Sequence, residues 1–107
     1  MNRLAVLVLA SFALAAPAFA QAGKTPGDAA KGEAMARRWC AACHLLEGQG
    51  RASDAAPAFA TIARDPRKTD DYLRTFLARP HAPMPPLQLS RGEIEDIVAY
   101  FDALRGR

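Results

Sequence analysis

The sequence predicts an all-α fold, and three observations carry that expectation. Ser90 stands three residues before Glu93 in the spacing of a capping box, and Ile94, Ile97, Val98, Phe101 and Leu104 follow on one helical face. Thr69 precedes Asp70 and Asp71, acidic residues suited to a first helical turn, and Tyr72, Leu73, Phe76 and Leu77 share a face until Pro80 ends the pattern. No stretch alternates apolar and polar residues for long enough to make a strand.

Taken in order, the chain opens with Arg3, a run of apolar and small residues from Leu4 to Ala16, Pro17, and Ala18-Phe19-Ala20. That order of charge, apolar run and small-residue site is the pattern of a secretory signal, and the run is shorter than the roughly 18 residues a spanning helix needs. Residues 1–20 are therefore expected to be cleaved, leaving 21–107 as one domain. Residues 21–27 form a flexible lead-in, and Asp28 caps a first helix, rich in Ala, Lys, Glu and Arg, that runs toward Cys43. From Leu45 to Pro57 the residues Gly48, Gly50, Ser53 and Asp54 predict a loop, and Pro57-Ala58-Phe59 opens a short helical turn. The helix behind Thr69 comes next. Residues 80–86 hold four prolines around His81 and Met84, which makes the segment extended and stiff. The helix capped by Ser90 completes three main helices.

A chain of 107 residues has length for one domain, and this excludes a multidomain enzyme. The formal charge of +3, spread among acids and bases, marks neither a nucleic-acid arm nor a polybasic membrane anchor. Two cysteines are too few for a disulfide-stapled miniprotein. Because a core of this size is marginal by itself, a bound group is expected to supplement it.

Cys40-Ala41-Ala42-Cys43-His44 has the C-x-x-C-H spacing that attaches a c-type haem. Two thiols three residues apart at a helix end face one side and can add to the two vinyl groups of a porphyrin. The imidazole of His44 then lies beneath the iron. A thioredoxin-like redox pair requires a βαβ pattern that is missing here, and a zinc site requires a second ligand pair for which only His81 stands ready. A structural disulfide leaves the adjacent histidine unexplained.

Through Cys40-Ala-Ala-Cys43-His44, Met84-Pro85 and Glu93-Ile94-Glu95-Asp96-Ile97-Val98-Ala99-Tyr100-Phe101, residues 27–105 resemble the class I cytochrome c family. The resemblance implies one haem c bound covalently through Cys40 and Cys43, with His44 and Met84 as axial ligands of the iron. It also implies that the terminal helix crosses the first, with Gly32 permitting close approach near Tyr100 or Phe101, and that the Pro57 carbonyl accepts the second imidazole N–H of His44. Forty residues separate His44 from Met84, enough chain to wrap the haem edge. A core-filling role for Met84 fits poorly with its polar, proline-rich surroundings, whereas Met35, on the first helix, reads as core. His81 is the rival ligand. Trp39 is expected to pack on the haem or against helices, and Phe59, Leu73, Phe76, Leu77 and Leu87 to line the pocket. For the haem propionates, Tyr72, Arg51 and Arg64 are open candidates, and the mid-chain Trp of some family members has no counterpart.

Iron with both axial positions filled offers one-electron exchange and little else. The expected function is a periplasmic electron carrier, not an enzyme, that meets a redox donor and acceptor in turn as a monomer. Two alternatives are a dedicated haem subunit of a periplasmic oxidoreductase complex and a gas-ligand sensor with a labile Met84 bond.

Overall fold

The computed structural model describes residues 26–51, 56–80 and 82–107, and the expected signal of residues 1–20, Ser53, Asp54 and His81 lie outside them. The described residues form four α-helices and no strand: α1 (Ala29–Met35), α2 (Phe59–Arg64), α3 (Asp70–Ala78) and α4 (Arg91–Arg105). The expected all-α class holds, and the helical turn expected at Phe59 is the six-residue α2.

Each helix start has its chemical reason. Asp28 accepts from the amides of Ala30 and Lys31 ahead of α1, and Thr69 accepts from the amide of Tyr72 ahead of α3. Ser90 and Glu93 exchange side-chain and backbone hydrogen bonds in both directions, the capping box expected from their spacing. The first helix departs from expectation at its far end. After Met35 it widens into a π turn over Ala36–Cys40, closed by the Ala41 amide on the Ala36 carbonyl at 3.1 Å, and it never reaches Cys43 in helical form. Such a turn adds a residue between successive hydrogen bonds and so rotates the side chains beyond it. Here it leaves Cys40 buried and Trp39 43% exposed.

α1 packs against α4 more extensively than any other pair of helices, and α2 and α3 close on α4 from its other side. A Cβ at Gly32 would lie 1.9 Å from the Asp96 carbonyl oxygen, a separation that no side chain tolerates. The close approach expected at Gly32 is real, but it falls on Asp96, one turn before Tyr100 and Phe101. The Asp96 carboxylate also accepts from the Asp28 amide at 2.7 Å, fixing the start of α1 on α4.

The buried core comprises Ala36, Cys40, Leu46, Phe59, Ala63 and Leu73 together with the α4 stripe Ile94, Ile97, Val98, Tyr100, Phe101 and Leu104. Met35 packs against it, as expected. Arg105 ties the connection between α2 and α3 to the end of α4 by donating to the carbonyls of Ala63 and Lys68 and to Asp70 and Asp102. Arg74 does the same for α3, reaching Glu95 at 2.8 and 3.1 Å.

Candidate functional site

The Cys40–His44 segment leaves the π turn and reverses at once. The amides of Cys43 and His44 both donate to the Cys40 carbonyl, at 3.1 and 2.8 Å, so Cys40 is held in the core while Cys43 stands exposed. Burial, helped by neighbouring Cys43, pushes the Cys40 thiol up to about 11. The returning chain then folds onto the reversal. Gly50, at φ +87°, would place a Cβ 2.1 Å from the His44 carbonyl oxygen, so glycine serves both the left-handed backbone and the close approach. Arg37 locks this loop to the preceding helix by donating to the Glu47 carbonyl and the Gln49 side chain, each at 3.3 Å, and to Glu33 at 2.8 and 3.1 Å.

The His44 ring is set from two directions. Its Nδ1 lies 2.7 Å from the Pro57 carbonyl oxygen, which can only accept, so Nδ1 carries a proton and, in the neutral ring, Nε2 is the nitrogen with the lone pair. The Phe59 ring meets the imidazole edge-on with centroids 5.2 Å apart, and Phe59 in turn stacks on Phe101 at 4.7 Å. The Phe59 amide donates to the Leu45 carbonyl at 2.9 Å, which brings the start of α2 beside the histidine.

Two cavities border this imidazole, of about 490 and 240 Å³, and Cys40, His44, Pro83 and Met84 line both. The larger also meets Trp39, Ala42, Cys43, Arg51 and Leu87. The smaller is walled by Phe59, Ile62, Leu73, Phe76, Leu77, Ile97 and Phe101, with Lys68 and Tyr72 at its polar end. Every apolar pocket residue expected from the sequence is therefore found: Leu87 in the larger cavity, and Phe59, Leu73, Phe76 and Leu77 in the smaller. Trp39 faces the larger cavity and solvent, with the Arg38 guanidinium 6.0 Å from its ring centre, and is not packed between helices. Of the propionate candidates, Arg51 borders the larger cavity and Tyr72 the smaller, while Arg64 borders neither.

Sequence reasoning did not place Ile62, Lys68, Ile97 and Phe101 at the cavity. The helical stripe shows that Ile97 and Phe101 are buried, but not what they are buried against. For Lys68 no sequence signal exists. Among the described residues no group of three or more His, Cys, Asp and Glu side chains converges to hold a metal ion by itself, so the cysteines and His44 are not arranged as a bare metal site.

Residues 27–101 match the family model described as cytochrome c oxidase, cbb3-type, subunit III. Cytochrome c-552 of Bradyrhizobium diazoefficiens is 47% identical over 79 residues, which cover 73% of this chain and 76% of that protein. The chain belongs to the c-type cytochromes. No solved structure gives a significant match. Membership implies a haem c, and the cytochrome's own residues fit one. Two free thiols, the imidazole of His44 and the thioether of Met84 all border the larger, largely apolar cavity, whose volume of about 490 Å³ falls among ordinary ligand pockets of roughly 300–1,000 Å³.

Proposed function

We propose that this cytochrome is a periplasmic one-electron carrier whose haem is attached through Cys40 and Cys43 and whose iron is held by His44 and Met84. The observation that carries the reading is the pairing of His44 and Met84 in the lining of both cavities, with the histidine already committed through Nδ1 to Pro57. A bound haem supplies an iron couple that takes up and releases one electron.

The protein's share of that chemistry is placement and solvation. Pro57 and Phe59 fix the imidazole plane, so little rearrangement accompanies a change of iron charge. The thioether of Met84 and the apolar walls both favour the less charged ferrous state over the ferric. With both axial positions taken by side chains, no position is left for substrate, and the protein is a carrier and not an enzyme.

The signal pattern of residues 1–20 supports work outside the cytoplasm, with cleavage after Ala20 and residues 21–107 as the working domain. Among the described residues no helix is long and apolar enough to cross a membrane. The partners are a redox donor and acceptor, met one at a time through small interfaces. A second reading, a dedicated haem subunit of a larger oxidoreductase, is favoured by the description of the matching family as an oxidase subunit. Native gel filtration of the exported fraction separates the two. A species no larger than the 11.5 kDa of the uncleaved chain supports the carrier, and co-elution with a large complex supports the subunit.

The axial assignment is tested by the absorption spectrum of the ferrous holoprotein before and after carbon monoxide. A low-spin spectrum that does not change is expected, whereas a prompt shift would replace carriage with gas binding. Met84→Ala is expected to open the iron to carbon monoxide and lower the reduction potential; a variant unchanged in both would transfer the ligand role to His81.

A further inference from the structure

The smaller cavity is apolar except at one end, where Lys68 and Tyr72 stand as its only ammonium and only hydroxyl. The Lys68 Nζ lies 2.7 Å from the Tyr72 oxygen and 4.0 Å from the centre of its ring. An ammonium can only donate, so the phenol oxygen accepts and its own hydrogen is left to point elsewhere, as are two N–H bonds of the lysine. The arrangement offers several donors and one positive charge at the rim of an oily space. No carboxylate within reach answers that charge among the described residues. The Asp65 carboxylate, which feels the Lys68 charge, is taken by Arg67 through two side-chain bonds of 3.0 and 2.9 Å.

The lysine is also placed by its backbone. Its amide donates to the Asp65 carbonyl at 2.9 Å, and its carbonyl accepts from Arg105 at 2.8 Å. Tyr72 stacks on Phe76 with rings 5.9 Å apart and 11° from parallel. An anion placed there would meet a positive charge and several donors beside apolar walls, where charge-assisted hydrogen bonds are strong.

We propose that Lys68 and Tyr72 bind one propionate carboxylate of the haem, a role that rests on the haem reading above. In a protoporphyrin the two vinyl groups and the two propionates occupy opposite halves of the ring. Cys40 borders both cavities, whereas Cys43 and Ala42 border only the larger, so the thioether edge leans to the larger cavity. The carboxylate half then falls toward the smaller cavity's polar end. Neither Arg64, which borders neither cavity, nor Arg51, which shares the larger one with Cys43, occupies that end.

The test uses holoprotein and two readouts that do not depend on a redox partner. One is the midpoint potential, and the other is the redox infrared difference band of haem labelled with carbon-13 at its propionate carboxyls. Lys68→Met removes a positive charge near the iron and leaves a carboxylate uncompensated, and both changes favour the ferric state. The ferrous-to-ferric ratio at fixed ambient potential is expected to fall at least threefold, a tenfold fall being about 59 mV for one electron. The labelled carboxylate band should shift in Lys68→Met and in Tyr72→Phe, while Lys68→Arg restores the potential. A purely structural role for Lys68 would lower thermal stability and leave the band where it was.

If Lys68→Met fails to fold, Tyr72→Phe keeps the aromatic stack and still reads the band. An unmoved band in Tyr72→Phe, or a band that moves with Arg51→Met and not with Lys68→Met, overturns the proposal. The carbon monoxide response of the parent protein reports the axial reading separately. A parent inert to carbon monoxide with a band indifferent to Lys68 and Tyr72 removes the clamp alone, whereas a parent that binds the gas with a band sensitive to both removes only the closed axial site.

Discussion

Replacing Gly32 by alanine should destabilise the protein, although the same change in an ordinary helix does the opposite. In an unobstructed helix, alanine is favoured over glycine by about 0.8–1.0 kcal/mol. At Gly32 the new methyl would sit 1.9 Å from the Asp96 carbonyl oxygen and 2.5 Å from its carbon, against a floor of 3.0 Å for real contacts. Both obstructing atoms are backbone of α4, so no rotamer change relieves them, and α1 and α4 must part by about an ångström. A gap of 0.5–1 Å forfeits roughly a quarter to a half of each dispersion contact across it.

Because the obstruction is backbone, the overpacking cost falls at the upper end of about 1–3 kcal/mol, and after the propensity gain a net loss of about 2 kcal/mol is expected. For a domain of this size that is a fall in Tm of about 8–16 °C. Gly92, in the first turn of α4, has nothing within 4 Å of its would-be methyl and is the matched control. Gly92→Ala should hold or raise Tm. Thermal unfolding of the holoprotein followed by far-ultraviolet circular dichroism compares the two variants directly. A Gly32→Ala protein as stable as Gly92→Ala would refute the account of helix contact.

Three further outcomes follow from single groups. The Tyr100 hydroxyl is fully buried and has no hydrogen-bond partner among the described residues, so Tyr100→Phe removes an unsatisfied polar group and should raise the unfolding free energy by up to about 1–3 kcal/mol; a loss in urea titration would reveal a partner for the hydroxyl. The Ser90→Ala change should cost about 1 kcal/mol at neutral pH through the lost cap of α4. Glu93 adds a pH dependence to the same cap. The backbone N–H and then the hydroxyl of Ser90 hold its carboxyl below the ordinary 4.5. Because the folded state depresses this value, the stabilisation is complete above 4.5 and lost as pH falls through the lower folded value. The stability gap between the parent protein and Glu93→Gln, measured in urea at pH 7 and at pH 3, should therefore narrow in acid; a gap that widens would reverse the sign of the argument.

Much of the site could be read before any coordinates, because its chemistry is local. The cysteines, the histidine and Ser90 with Glu93 act through neighbours three or four residues away, and fixed spacing places such groups relative to one another in any helix or turn. The resemblance to a family added Met84 and the Pro57 carbonyl, whose relation to His44 no spacing within a helix could supply. The structure brings Met84 to the cavities that His44 lines and puts the Pro57 oxygen 2.7 Å from Nδ1. It also moved the helix contact of Gly32 to Asp96 and ended regular α-helix at Met35, since the cost of a wider turn is repaid by where it leaves Cys40 and not by any local preference.

By itself the sequence determined the helices, the attachment motif and the apolar faces, all properties of residues close along the chain. Tertiary structure alone decided what those faces meet: that Ile97 and Phe101 wall a cavity, that Trp39 borders solvent, and that the local pair of Lys68 and Tyr72 stands at the polar end of an apolar space. The reason is physical. Periodicity records how much of a side chain leaves water, while the identity of its neighbours depends on the crossing of helices whose contacting residues lie far apart in the chain.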